Sequence, residues 1–326
     1  MAAALSVPDH RLGRVLVRRG LQAVGVALAV SAVCFWVVQR LPGDAAYRIA
    51  AGRYGYDLVD AEAAASVRAE LGLDRPAWQQ LGDWLLQLVQ LDLGRSLVTS
   101  QPVAEELAYY LTGTLQLAAA ALVVAVVVGA GLGVLAARRP GGVVDRFTTA
   151  YVASVRALPP FLLGLLLVLL LSAQLGLLPA VSSGGPRALV LPALTLGVGL
   201  SGLVATVTRS AVVEVAASEQ VRFARTKGLA ERRVQARHVA RNAAVTIVPY
   251  LGVQAVVLVE GVVVVESLFS WQGLGHALVH AVFWRDVPML QATALVLALL
   301  VVAVNTVVDL VGLWLDPRPR ALEGVR

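Results

Sequence analysis

The stretch Glu214–Asn242, EVAASEQVRFARTKGLAERRVQARHVARN, is a polar island of 29 residues in a chain of 326 residues that is 58% hydrophobic. Long apolar runs lie on both sides of it. Eight positive charges fall between Arg209 and Arg241: Arg209, Arg222, Arg225, Lys227, Arg232, Arg233, Arg237 and Arg241. Charge of that density is not left inside hydrocarbon, so residues 209–242 form a water-facing loop. Its centre is Val221-Arg222-Phe223-Ala224-Arg225-Thr226-Lys227-Gly228-Leu229. Acids upstream (Glu214, Glu219), bases downstream and a glycine near the end predict a short helix that complements its own dipole. Ser218 stands where an N-cap side chain accepts a backbone N–H.

The rest of the composition agrees with this contrast. Only 15% of residues are charged, against about 25% in ordinary soluble domains, and the mean hydropathy is +0.76. The chain reads as a polytopic membrane protein. Its net charge of +6 does not indicate nucleic acid, because the cations sit in loops beside apolar runs. The single cysteine, Cys34, lies within an apolar run and gives no disulfide framework. The first run, Leu16 to Val38, is too long for a signal-peptide core and is expected to be retained.

A membrane span takes about 20 apolar residues to cross roughly 30 Å of hydrocarbon. Six stretches qualify, near 16–39, 111–137, 147–175, 188–212, 243–267 and 290–315. Pro159-Pro160 is expected to kink the third or give it an irregular start. With both termini inside, the inner segments hold eighteen Lys and Arg and the outer ones eight, which predicts cytoplasmic termini and a cytoplasmic island. Residues 42–106 then form an external insertion of short helices, with a break at Asp74-Arg75-Pro76. Glycines at 129, 131 and 133 and at 197, 199 and 202 lie inside spans and predict close helix packing. No strand precedes them, which excludes a nucleotide-binding loop.

Catalytic chemistry is poorly provided for. A P-loop needs a lysine beside Ser or Thr, and the only lysine, Lys227, precedes Gly228 and Leu229. No histidine falls within a predicted span, and Asp309 is the only aspartate that does, so intramembrane serine and aspartyl mechanisms lack their parts. His276 and His280 share a helix face, with no third residue nearby in sequence to complete a metal site. Glu260, Glu266 and Asp309, in or at the edge of spans, are candidate polar residues of a translocation path, since acids there are costly unless they face water or a partner. The alternatives are interfacial exposure for Glu266 and, for Asp309, pairing with Arg318 or a neighbouring subunit. Residues 221–229 have an alternative of their own, a basic helix resting on anionic lipid.

Residues 221–229 resemble the coupling helix of permeases from binding-protein-dependent ABC importers, in the dipeptide, oligopeptide and nickel branch. Gly228 falls where the family's motif has its glycine, six residues after a Glu; Arg222 occupies that Glu position here, and His238 to Asn242 replaces the usual Ile-x-Leu-Pro ending. The resemblance continues in order through LPGDAA (41–46), LGLDRPAWQQ (71–80), LDLGRS (91–96), PPFLLGLLLVLLLSAQLGLLPA (159–180), LVLPALTLGVGLSGLVATVTRSAVVEV (189–215), VESLFSWQGLGHALVHAVFWRDVPMLQA (265–292), read as an external loop, and NTVVDLVGLWLDPRPR (305–320). It implies an all-α fold of six transmembrane helices in one domain, 1–326, like the type I importer permeases. It further implies a multi-pass subunit in a bacterial inner membrane that carries di- or oligopeptides, or nickel or glutathione-like solutes. Its partners would be a second permease, two ATPase subunits that bind the ATP and Mg, and an external solute-binding protein, with no cofactor on this chain. An intramembrane enzyme or a membrane scaffold is the competing class.

Overall fold

The structure is a computed structural model, and it describes residues 9–71, 79, 82–86, 90, 92–181 and 185–315. Asp74-Arg75-Pro76, most of LGLDRPAWQQ and Arg318 lie outside the described residues. Among the described residues the secondary structure is helical, with one isolated bridge between Arg95 and Pro102. Five helices among the described residues are long and apolar enough to cross a membrane: Val15–Val37, Val103–Ala137, Pro186–Ala216, Glu231–Val259 and Val287–Val311. Two further helix pairs reach that length only together, and both are sharply bent.

In chain order, α1 (Asp9–Arg40) is followed by the short helices α2 (Ala45–Tyr54) and α3 (Ala61–Leu71). Asp44 starts α2 by accepting the Ala46 N–H at 2.9 Å. Next, α4 (Val103–Ala125) passes through a π-helical turn into α5 (Gly131–Ala137). Then α6 (Val143–Ala157) and α7 (Pro160–Leu167) precede the long α8 (Pro186–Ala216). Beyond the polar island come α9 (Glu219–Thr226), α10 (Glu231–Val234) and α11 (Arg241–Phe269), and finally α12 (Leu274–Trp284) and α13 (Val287–Leu315).

The third expected span is not continuous. α6 and the helix that begins at Pro160 meet at 107°. Leu158 precedes a proline and is extended (φ −95°, ψ 125°), and neither proline offers an N–H to carry a helix through. What sequence reading took as a loop after the fifth span contains α12, an apolar helix of 11 residues turned 75° from the end of α11.

The bundle is built around α8, two thirds of whose most apolar window is buried (67%), against 11% for α1 and for α13. Leu117, Ala121, Leu191, Leu196, Val204, Val262 and Phe269 form the central core between α4, α8 and α11. Small residues bring α4 and α5 onto α8. A Cβ at Gly129 or Gly133 would lie 2.6 Å from the carbonyl oxygen of Ser201 or Ala205, and one at Gly197 2.7 Å from that of Ala121. Side chains there would force the helices apart. Gly131 and Gly199 face open space instead, and Gly202 has only ordinary contacts.

Candidate functional site

The polar island folds as a turn between two long rods, α8 entering and α10 to α11 leaving. Its eight-residue helix α9 is amphipathic. Val221 and Ala224 are buried against Val234 and Val239, with Val212, Val215 and Leu229 packed around them. That cluster joins α9 to the end of α8 and to the π-helical turn Gln235–Ala240 that runs into α11.

The other face of α9 is open. Phe223 is 62% exposed, and the Lys227 ammonium sits 4.4 Å from its ring centre, a cation–π contact that holds apolar surface and charge together. Arg222 and Thr226 are exposed as well. Arg225 donates to both carboxylate oxygens of Glu231 at 2.9 and 3.1 Å, a bond that raises its pKa further and keeps its charge permanent. These two bonds tie α9 to α10, and Glu231 also accepts from Gln235 at 2.7 Å. Gly228 ends the helix at φ +74°, a left-handed conformation that a side chain adopts at a cost. Beside α9, Phe223, Lys227, Arg237, His238 and Arg241 line a basic depression of about 510 Å³.

Ser218 takes the N-cap position with extended backbone, but its side chain makes no cap bond and its Oγ is buried without a partner. The expected capping bond is therefore not formed. Arg209, counted among the island's cations, is not free: it holds Asp145 on α6 through two bonds, one of 2.8 Å, and Asp145 also accepts the Gly141 N–H at 2.7 Å. This ion pair braces α6 against α8 beside the island.

The three acids proposed for a path have different surroundings. Glu266 is completely buried, so it is neither interfacial nor facing an open channel. Its carboxylate accepts from Thr114 Oγ1 and the Gly275 N–H, both at 2.7 Å, capping the start of α12 and tying it to α4. Leu274 N–H donates in turn to Thr114 Oγ1 at 2.8 Å. Asp309 is bound by Arg19 of α1 at 2.6 and 3.0 Å, a partner 290 residues away. The expected alternatives were Arg318, which lies outside the described residues, and a neighbouring subunit. Glu260 lies in α11, and its side chain is also outside them. The His276 and His280 rings are 4.4 Å apart on one face of α12. No group of three or more potential metal ligands occurs among the described residues.

Sequence reasoning missed a polar clamp at the opposite end of the bundle. Arg285, in a left-handed conformation (φ 56°), donates to the carbonyl oxygens of Leu41, Pro42 and Gly43. Asp286 accepts from Ser96 Oγ, from the Leu97 N–H at 3.1 Å and from the Met289 N–H at 3.3 Å. These two neighbours pin residues 41–43 and 96–97 onto α12 and α13. The available signal was Asp286-Val287-Pro288, an N-cap residue followed by proline at a helix start.

Comparisons with known proteins place this geometry in a context. Residues 129–321 match the family described as "binding-protein-dependent transport system inner membrane component". Residues 12–118 match that described as its N-terminal membrane component. The chain is 36% identical over 305 residues to the glutathione transport system permease protein GsiC of Escherichia coli, covering 94% of this chain and 98% of that one. It is 37% identical over 313 residues to a putative peptide transport system permease protein of Brucella abortus, with the same coverage. Among solved structures, the MetNI methionine ABC transporter in an inward-facing form matches with a TM-score of 0.57 at 18% identity, over 67% of this chain and 100% of that one. An amino acid ABC transporter matches at 0.51 and 20% identity, over 64% and 94%.

Proposed function

Because the chain belongs to the family of binding-protein-dependent transport system inner membrane components, and so is a multi-pass ABC importer permease subunit and not an enzyme, we propose that it carries peptides and is driven through α9. Residues 1–326 act as one permease domain with both termini in the cytoplasm, and with 42–106 and the end of α12 outside. Residues 221–229 dock in a groove on an ATPase subunit, which binds the ATP and Mg, while this chain holds no cofactor. A second, homologous permease completes the path, and an external solute-binding protein delivers the solute. The permeases named above for glutathione and for peptides support a peptide-type solute.

One observation carries the coupling role: α9 buries Val221 and Ala224 against the root of α11 while presenting Phe223, Arg222 and Lys227 outward. A push on the open face is transmitted through a packed cluster to the spans on either side, the rigid-body coupling that alternating access needs. Glu266 and Asp309, both engaged in this structure, serve as ties between helices. The test is the double substitution Arg225→Glu with Gly228→Glu in the assembled transporter. Insertion stays normal, while uptake falls at least tenfold and ATP turnover becomes independent of solute. Unchanged uptake would refute the docking role. ATP turnover by the purified chain alone would refute the division of labour.

A further inference from the structure

A second cavity lies beside the island and shares no lining residue with the basic depression. It measures about 840 Å³ and is walled by α5, α8, the π-helical turn and the start of α11. Its deeper wall is apolar, with Val134, Val212, Val239 and Ile247, and its rim carries Arg138 and Arg232. Both arginines are exposed, and among the described residues neither guanidinium has an ion-pair or hydrogen-bond partner. The third rim arginine, Arg225, is already bound to Glu231. Thr208 is 1% exposed and lines the cleft, and its hydroxyl has no hydrogen-bond partner among the described residues.

The depth of the cleft decides what fits it. Arg138 is the first charge after the apolar run 111–137 and Arg232 belongs to the charged island, so the rim stands where apolar chain gives way to charge, at the border between hydrocarbon and water. Ala130, on the same wall, lies eight residues further in, which is about 12 Å along the helix. An occupant therefore needs an anionic end at the border and an apolar tail directed into the membrane. A nucleotide or free phosphate has no tail for the inner wall. A zwitterionic headgroup brings a cation against two unpaired arginines. Basic pockets between transmembrane helices at a membrane surface suit anionic headgroups, each nearby Lys or Arg adding to the attraction.

We propose that this cleft binds one anionic phospholipid, with its phosphate at Arg138 and Arg232, the Thr208 hydroxyl donating to an oxygen of its ester region, and one acyl chain along Val134 and Ile247. Arg232 belongs to α10 and Arg138 follows α5, so a single headgroup bridges the island and the bundle. The bound lipid thereby stiffens the joint through which α9 acts. This assignment rests on the cleft and its depth, and holds whether or not α9 docks on an ATPase.

Native mass spectrometry of the purified full-length chain tests it, with added dioleoylphosphatidylglycerol, dioleoylphosphatidylcholine or glycerol 3-phosphate as probes. The expected result is retention of one phosphatidylglycerol in preference to phosphatidylcholine, with no competition from glycerol 3-phosphate. Retention falls at least tenfold in Arg138→Gln with Arg232→Gln, and stays within twofold in the charge-matched control Arg139→Gln with Arg146→Gln. Filling the cleft with Val212→Trp removes retention although both arginines remain. Equal loss in the two arginine pairs, equal retention of phosphatidylcholine, or displacement by glycerol 3-phosphate would overturn the assignment. So would release of the lipid when a homologous permease is added, because the cleft would then be a protein interface.

Discussion

The two ends of this bundle are built in opposite ways. At the island, a short helix rests on a small apolar cluster and turns an aromatic ring and several cations outward. At the other end, charged groups face inward. Asp286 and Arg285 are 3% and 7% exposed, Glu266 is fully buried, and each is satisfied by backbone groups or hydroxyls. Buried polar networks of this kind fix geometry, because each lost partner leaves a desolvated group behind. An exposed amphipathic helix costs little to shift. One end is anchored, and the other is left accessible.

Substitutions sharpen the contrast, and the largest effects belong to the anchored end. A Cβ at Gly113 would lie 1.9 Å from the backbone oxygen of Gln272, so Gly113→Ala cannot be accommodated without separating α4 from the turn that leads into α12. Loss of several kcal/mol is expected, about the upper range for single substitutions, read as a collapse in detergent-solubilised yield and thermal stability. Next comes Asp286→Ala, which removes the acceptor of the Ser96 hydroxyl proton and of the Leu97 N–H. It costs about 3 kcal/mol and frees residues 96–97 for proteolysis, while Arg285 still holds residues 41–43.

Why that end was hard to read follows from these residues. The island was legible because charge is excluded from hydrocarbon, a rule that acts on neighbouring residues along the chain. Five of the spans and the amphipathic α9 were visible for the same reason. The clamp joins Asp286 to Ser96 and Glu266 to Thr114 across 190 and 152 residues, and no local pattern reports such pairs. Arg19 with Asp309 is a similar case: the acid stood out, but its partner did not. The break at Leu158 lay in between, since the prolines announced a kink but not its angle. Ser218 shows the limit of a local rule, its position matching the N-cap while its hydroxyl makes no cap bond.

At the island the expected effects on stability are smaller. Val221→Asp puts a carboxylate into the apolar cluster that seats α9. It is expected to unseat the helix at a cost of about 1–3 kcal/mol, seen as faster trypsin cleavage after Arg222, Arg225 and Lys227 with the thermal transition of the bundle nearly unchanged. A drop in that transition as large as that of Asp286→Ala would erase the distinction between the two ends. Smallest of all, Arg222→Ala removes an exposed pair with Glu219 and changes stability by less than about 0.5 kcal/mol.

The central claim is that Phe223 and its neighbours are gripped from the cytosol by another subunit. The direct measurement is labelling of a single cysteine, with Cys34→Ala and Phe223→Cys, by a membrane-impermeant maleimide. The account predicts no labelling in intact cells, rapid labelling after permeabilisation, and protection when the ATPase subunits are present. Labelling from outside intact cells, or equal labelling with and without those subunits, would contradict it.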